Sequence, residues 1–476
     1  MNARAGMWVA GWCALCAISL AGCTVGPDYR PPAPVPGSQA PLLGTTEAQA
    51  ATVEPPPQWW QLYQDPTLDA LVQEAFSANT DLRVAMANLA AARASLELTR
   101  TERYPQTKLG AATERARDPT TNEILEFAGQ PPQTFWFYDA LLDVSYEVDL
   151  FGRVRRAIEA ARADADAATA ARDTVRITVA AETTRAYAQV CALGEAVAVT
   201  RRSIDVVTHE EQITTDRRDA GAAADFDVVR AQALVAQVRA SLPPLIGQRQ
   251  AALFQLAQLL GRPPGGVPQT AAECVAPPTL KALIPVGDGA SLLARRPDVR
   301  QAERRVASAT ARIGVATADL YPRISLLGSY GGVAVQPSQV FEAEGLAWGI
   351  GPSISWSFPN QSPVRARIHQ ARAAEQAAVA GFDGVVLQAL RETDQSLSTY
   401  AAELARRQDI LLARDRARQA FGMANDQFLD GATTNLDLLN AEVTLVSAEA
   451  AVATSDGAVV QDQIGVFKAL GGGWQP

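Results

Sequence analysis

Two periodicities divide this sequence. Between positions 140 and 150 every even residue is apolar: Ala140, Leu142, Val144, Tyr146, Val148 and Leu150. Most odd residues there are polar or acidic, Asp139, Asp143, Ser145, Glu147 and Asp149, with Leu141 the exception. Trp348, Ile350, Pro352, Ile354, Trp356 and Phe358 alternate in the same way with Ala347, Gly349, Gly351, Ser353, Ser355 and Ser357. Alternation of period two predicts strands whose faces meet different surroundings. Fainter partner strands are expected over 106–115 and 323–335. The second periodicity is a heptad. Val179, Ala186, Leu193, Thr200 and Val207 are seven apart, as are Val190, Val197 and Ile204, and again Leu390, Leu397, Leu404 and Leu411. A spacing of 3.5 residues is a coiled-coil seam. Gly and Pro are almost absent from 153–218 and 364–429, so each predicts one helix on the order of 100 Å long at 1.5 Å per residue.

The patterns occur twice. Asp81-Leu82-Arg83 and Tyr104-Pro105 recur as Asp298-Val299-Arg300 and Tyr321-Pro322. Val154-Arg155 recurs as Val364-Arg365, Gly221 as Gly431, Asp227 as Asp437, and Leu260-Gly261 as Leu470-Gly471. The offset is constant except for one change between Tyr104-Pro105 and Val154. This is an internal structural repeat. The first copy, 59–265, is expected to hold a helix over 66–103, a β-hairpin about 105–151, a long helix 153–218 and a helix 226–260. A connector covers 266–296. The second copy, 297–476, holds a helix over 297–320, a hairpin about 322–359, a long helix 364–429 and a helix 436–470.

The N-terminal stretch reads as an address. Arg4 precedes a short apolar run over 7–21, too short to span a bilayer as a helix. It ends in Leu20-Ala21-Gly22-Cys23, which resembles the bacterial lipobox, so 1–22 is expected to be a signal peptide and Cys23 the lipidated first residue. Thr24 in place of Asp favours the outer membrane. The Pro-rich 23–58 is expected to be a lipid-anchored strap, with order beginning at Trp59-Trp60. Of five cysteines, Cys191 and Cys274 remain for an oxidising compartment, either as a disulfide or as two separate thiols. Across all 476 residues the net charge is −9, which excludes the basic face a nucleic-acid binder needs. The two histidines, His209 and His369, leave no metal cluster, and there is no catalytic constellation. An enzyme and any cofactor other than the lipid are not expected.

Four strands cannot close a membrane barrel, which starts at about eight. Three chains would give twelve, with the hairpin tips 117–132 and 336–345 extracellular and the helices in the periplasm. The expected fold is therefore a mixed α and β membrane protein: a trimeric 12-stranded β-barrel, four strands per chain, continued by a long α-helical coiled-coil periplasmic tunnel. Asp139, Asp143, Glu147 and Asp149 would line or rim the lumen, as a cation-favouring ring or paired with Arg across strands. Two helix–turn–helix tips contain Gly221 and Gly431, suited to a left-handed C-cap, and Asp225 and Thr434 or Asn435, suited to N-caps. Arg217, Arg218 and Arg230 would tie the tips by ion pairs or lie solvated.

The whole mature chain resembles the outer membrane factor family, the TolC-like channels, and most of all its lipidated RND-type efflux (NodT-type) branch. The resemblance rests on Cys23-Thr24-Val25-Gly26-Pro27-Asp28-Tyr29, Trp59-Trp60, Leu259-Leu260-Gly261-Arg262-Pro263-Pro264, Arg295-Arg296-Pro297-Asp298-Val299, Ala318-Asp319-Leu320-Tyr321-Pro322 and the two turns. It implies a homotrimer in outer-membrane lipid, a periplasmic adaptor (membrane fusion protein) and an inner-membrane RND-type pump, together carrying toxic small molecules outward. It implies adaptor docking at Gly221, Ala222, Ala223, Asp225, Gly431, Thr433, Thr434 and Asn435. It also implies a gate just after the second turn, with Leu436 apolar, Asn440 where the family carries a carboxylate, and Asp437 as a nearby substitute. The alternatives are a channel for type I protein secretion and a periplasmic coiled-coil scaffold without a pore.

Overall fold

A computed structural model describes residues 24–38, 40–43, 50–51, 55–280, 283–286 and 289–472. The predicted signal peptide and Cys23 lie outside these residues. The chain forms two compact units. In chain order the principal elements are helices α1 (Pro66–Ala78) and α2 (Thr80–Thr101), strands β1 (Gln106–Ala116) and β2 (Phe135–Val148), and helices α3 (Arg153–Asp219), α4 (Asp225–Ala240) and α5 (Leu242–Leu259). The second copy supplies α6 (Pro297–Ala318), β3 (Arg323–Ala334), β4 (Leu346–Ser355), α7 (Ser362–Leu429) and α8 (Asn435–Ala469).

The first unit contains one antiparallel sheet of order β1-β2-β3-β4. The register aligns the two alternating patterns. Leu109, Leu142, Tyr330 and Trp348 lie side by side, and one step along so do Thr107, Val144, Gly328 and Ile350. Cross-strand partners share a face, so one face is apolar, with Leu109 80%, Trp348 69% and Ile350 71% exposed. The other face carries Lys108, Asp143, Ser329 and Gly349 in one row and Glu147, Ser325 and Ser353 in another. Leu141 and Leu327 interrupt it. The strap is pinned below the strands. Val25 N–H donates to the Phe151 carbonyl (3.2 Å), Arg156 to Asp28 (2.7 Å), and the Tyr29 hydroxyl to Glu303 (2.7 Å). Gly26, at φ +90°, lies so close on Gly314 that a Cβ would collide with its backbone.

The second unit is a helical core centred on Trp59 and Trp60, with Trp59 stacked on Phe467 at 4.8 Å. The heptad row Val179, Ala186, Leu193, Thr200 and Val207 is buried along α3, as a seam requires. Arg296 is buried. It donates to Asp298, to Glu392 (2.8 Å) and to the Ala469 carbonyl (2.8 Å), so one guanidinium satisfies two carboxylates and an end of α8. Cys191 and Cys274 are joined by a disulfide, with Cα atoms 4.8 Å apart.

Two expected helices are each divided. The helix expected over 66–103 breaks at Asn79. Its side chain accepts from Asp81 and Leu82 N–H and donates to the Leu259 carbonyl, so it caps α2 while tying it to α5. The helix expected over 226–260 breaks at Ser241, because Pro243 and Pro244 fit only a first helical turn.

Replacing Cys191 and Cys274 together by alanine removes a cross-link across a separation of 83 residues. The chain-entropy model puts the loss at about 4–5 kcal/mol. Denaturant titration of the intact and substituted proteins checks it.

Candidate functional site

The helix tips are built by backbone geometry. At the end of α3, Gly221 has φ +77° and Gly431 at the end of α7 has φ +71°. Gly221 and Ala222 N–H donate to the Arg218 and Arg217 carbonyls (2.8 and 2.7 Å), and Gly431 and Ala432 N–H to those of Phe428 and Gln427 (3.1 and 2.7 Å). Both turns close the last carbonyls of a long helix with a left-handed glycine.

The next helices start differently. In the second turn Thr434 caps α8: its hydroxyl accepts from Asp437 N–H (3.3 Å), while the Asp437 carboxylate accepts from the hydroxyls of Thr433 (3.0 Å) and Thr434 (2.5 Å). These bonds, that from the Thr434 side chain first, hold Asp437 below the usual carboxylate range. The Asp437 carboxylate is therefore engaged in the cap of α8. In the first turn the capping position is Ala224, not Asp225. Asp225 is the first helical residue and lies 3.7 Å from Arg218. Only half a capping box forms, with Asp227 accepting from Ala224 N–H at 3.3 Å.

Of the tip arginines, Arg218 also pairs with Asp219 (2.5 Å). Arg217 stacks instead on the Phe428 ring at 4.3 Å, so the ends of α3 and α7 are joined by a cation–π contact. Arg230 lies over Phe226 at 5.5 Å. Leu436, 40% exposed, and Asn440, also exposed, sit one turn apart on α8, opposite buried Leu438 and Leu439.

The four strand carboxylates separate into two pairs. Asp139 and Asp143 lie on the polar face, with Lys108 directly across from Asp143. Glu147 instead forms a two-pronged pair with Arg153 (2.7 and 2.8 Å). Asp149 accepts from Val154 and Arg155 N–H (3.1 and 2.9 Å) and caps α3. The partners come from the start of α3, where the sequence places Arg153, Arg155 and Arg156.

A sheet with one apolar and one polar face, and two long helical hairpins with matching tips, agree with the comparison to known proteins. The family model "Outer membrane efflux protein" matches residues 71–262 and 290–472, one stretch in each copy of the repeat. This chain belongs to the outer membrane efflux protein family. The efflux protein is 31% identical to outer membrane protein OprJ of Pseudomonas aeruginosa, over 97% of this chain and 95% of OprJ. It is 30% identical to the toluene efflux pump outer membrane protein TtgC of Pseudomonas putida, over 97% of this chain and 95% of TtgC. Among solved structures it is similar to the outer-membrane channel OprN, with a TM-score of 0.87 and 36% identity, over 95% of this chain and all of that one.

The unequal caps make a testable difference within this efflux protein. Thr434→Ala speeds hydrogen exchange in the first turn of α8 about fivefold, the effect of a lost Thr cap, and Ala224→Thr slows exchange in the first turn of α4. The Asp437 contribution is present above the ordinary carboxylate pKa and lost as pH falls through its own, so the Thr434→Ala difference fades in acid.

Proposed function

We propose that three copies of this chain close a twelve-stranded barrel in the outer membrane, and that their helices continue it as a periplasmic tunnel. The observation that carries the reading is the sheet: apolar on one face, polar on the other, with β1 and β4 each left with an open edge. In hydrocarbon an unpaired edge costs several kcal/mol per backbone group, so the edges must meet those of other copies. The apolar face would then meet lipid, and Asp139 and Asp143 would face the aqueous interior, where carboxylates favour cations.

The lumen conducts drug-like or other toxic small molecules passively. The energy comes from an inner-membrane RND-type pump, joined through a periplasmic adaptor that docks at the turns of Gly221 and Gly431. Leu436 and Asn440 form the constriction next to the second turn. A lipid on Cys23 anchors the strap, and the pinning of residues 25–29 supports an anchor at the foot of the strands. The branch of the family to which the motifs point, with its lipobox, favours efflux over type I protein secretion.

The native mass of the protein extracted from outer membranes in mild detergent should be three times that of the chain, and a deletion strain should gain drug susceptibility. A monomer that resists cross-linking in intact membranes overturns the barrel and favours the scaffold. Ile350→Lys, on the apolar face, should cost about 2–4 kcal/mol in the membrane and deplete the trimer. Ser329→Lys, on the polar face, should leave the trimer in place.

A further inference from the structure

Glu442 is an anomaly in the helical unit. Leu438, Glu442 and Val446 are successive positions four apart on α8, so a carboxylate occupies a core-facing place between two apolar ones. It is 1% exposed, and neither of its oxygens has a hydrogen-bond partner among the described residues. A buried, unpaired carboxylate is normally relieved by a cation or by a proton.

The surrounding charges supply no cation. Glu442 borders a cleft of about 370 Å³ between α3, α7 and α8. From α7, Arg418 is engaged by Glu449 of α8 (2.7 Å) and Arg414 by its neighbour Asp415 (2.5 Å). From α3, Arg202 acts on Glu195. From α4, whose Val235 and Val238 pack in one cluster with Val446, Arg239 donates to Thr208 (3.3 Å). The charge that acts on Glu442 is another carboxylate, Glu210 of α3, which has His209 beside it.

We propose that Glu442 is a proton-operated lock on the start of α8: protonated, it lets this segment pack against α3 and α4, and ionised, it loosens the segment that carries Leu436 and Asn440. Burial first, and then the like charge of Glu210, raise Glu442 to about 7. The sign follows from linkage. The folded carboxyl holds its proton more tightly than the open one, so packing is firmest below the ordinary glutamate range and weakens as pH rises towards and through 7. A bound cation is disfavoured because both oxygens are closed off even from water. That the loosened segment is a gate rests on the channel reading. The lock itself does not, and its test reads helix packing alone.

The test is hydrogen exchange on the intact protein in detergent, followed over residues 438–446 and corrected for the intrinsic effect of pH. Between pH 6 and pH 8 protection should fall about tenfold, the ratio given by a carboxyl moving from about 7 when packed to an ordinary value when open. Glu442→Gln, neutral at every pH and nearly the same shape, should remove most of that dependence. Glu210→Gln should leave a dependence but move its midpoint to lower pH. Protection that is flat in the unsubstituted protein, or the same pH dependence in Glu442→Gln, overturns the proposal. If Glu442→Gln does not fold, the Glu210→Gln midpoint decides: an unmoved midpoint overturns it.

Discussion

A backbone N–H or C=O facing hydrocarbon without a partner is costly, and this constraint shapes the chain more than any other. The sheet satisfies every interior strand and leaves β1 and β4 to be satisfied elsewhere. Its strands hold few residues that pack against one another across layers, because the sheet is a single layer with one apolar and one polar face. Stability has to come from other places. The Trp59–Phe467 cluster, the Cys191–Cys274 bond and the Arg296 junction all lie in the helical unit. The sheet-bearing unit has its own ties at the foot of the strands, where the strap, Arg156 and the Gly26–Gly314 contact meet.

The repeat shows which features a helical hairpin must keep. Both tips retain the left-handed glycine and the two closing bonds, which satisfy end carbonyls of the long helix while the chain reverses over the five residues 220–224 and 430–434. The caps that start the next helices have diverged, a full Thr434–Asp437 box against half a box at Ala224. The helices diverged too: α8 runs unbroken over 35 residues, whereas its counterpart is cut at Ser241 by two prolines.

Much of this was legible in the sequence. Alternation gave the strands and their faces, because a period of two fixes which side each residue takes. The heptads gave the buried seam of α3, and the repeat gave the order of elements. Legibility ended where a side chain is claimed by a partner from another segment. Asn79 reads as an ordinary helix residue until Leu259 stands beside it. Glu147 and Asp149 look like their neighbours Asp139 and Asp143 along the strand, but Arg153 and the first amides of α3 take them up. Asp225 has the right chemistry for a cap and stands one residue too late. At the site, the turns could be read from local spacing and Leu436 and Asn440 were singled out by the family resemblance, whereas the role of Asp437 in the cap depended on which way Thr433 and Thr434 point.

Glu442 illustrates the opposite failure, a residue whose neighbours in the sequence conceal it. Ala441 and Val443 flank it, and a polar residue in a long helix is ordinarily taken for its solvated face. The pattern Leu438, Glu442, Val446 breaks the stripe at one place only, and a single break in a helical period carries little weight until the opposing helix is known. When that helix presents Glu210 rather than a basic residue, the break becomes a constraint on the whole hairpin. An ion pair there would have been permanent at every pH of the periplasm. A second carboxylate in its place disfavours the charge on Glu442 instead, so the proposed packing of α8 follows the supply of protons.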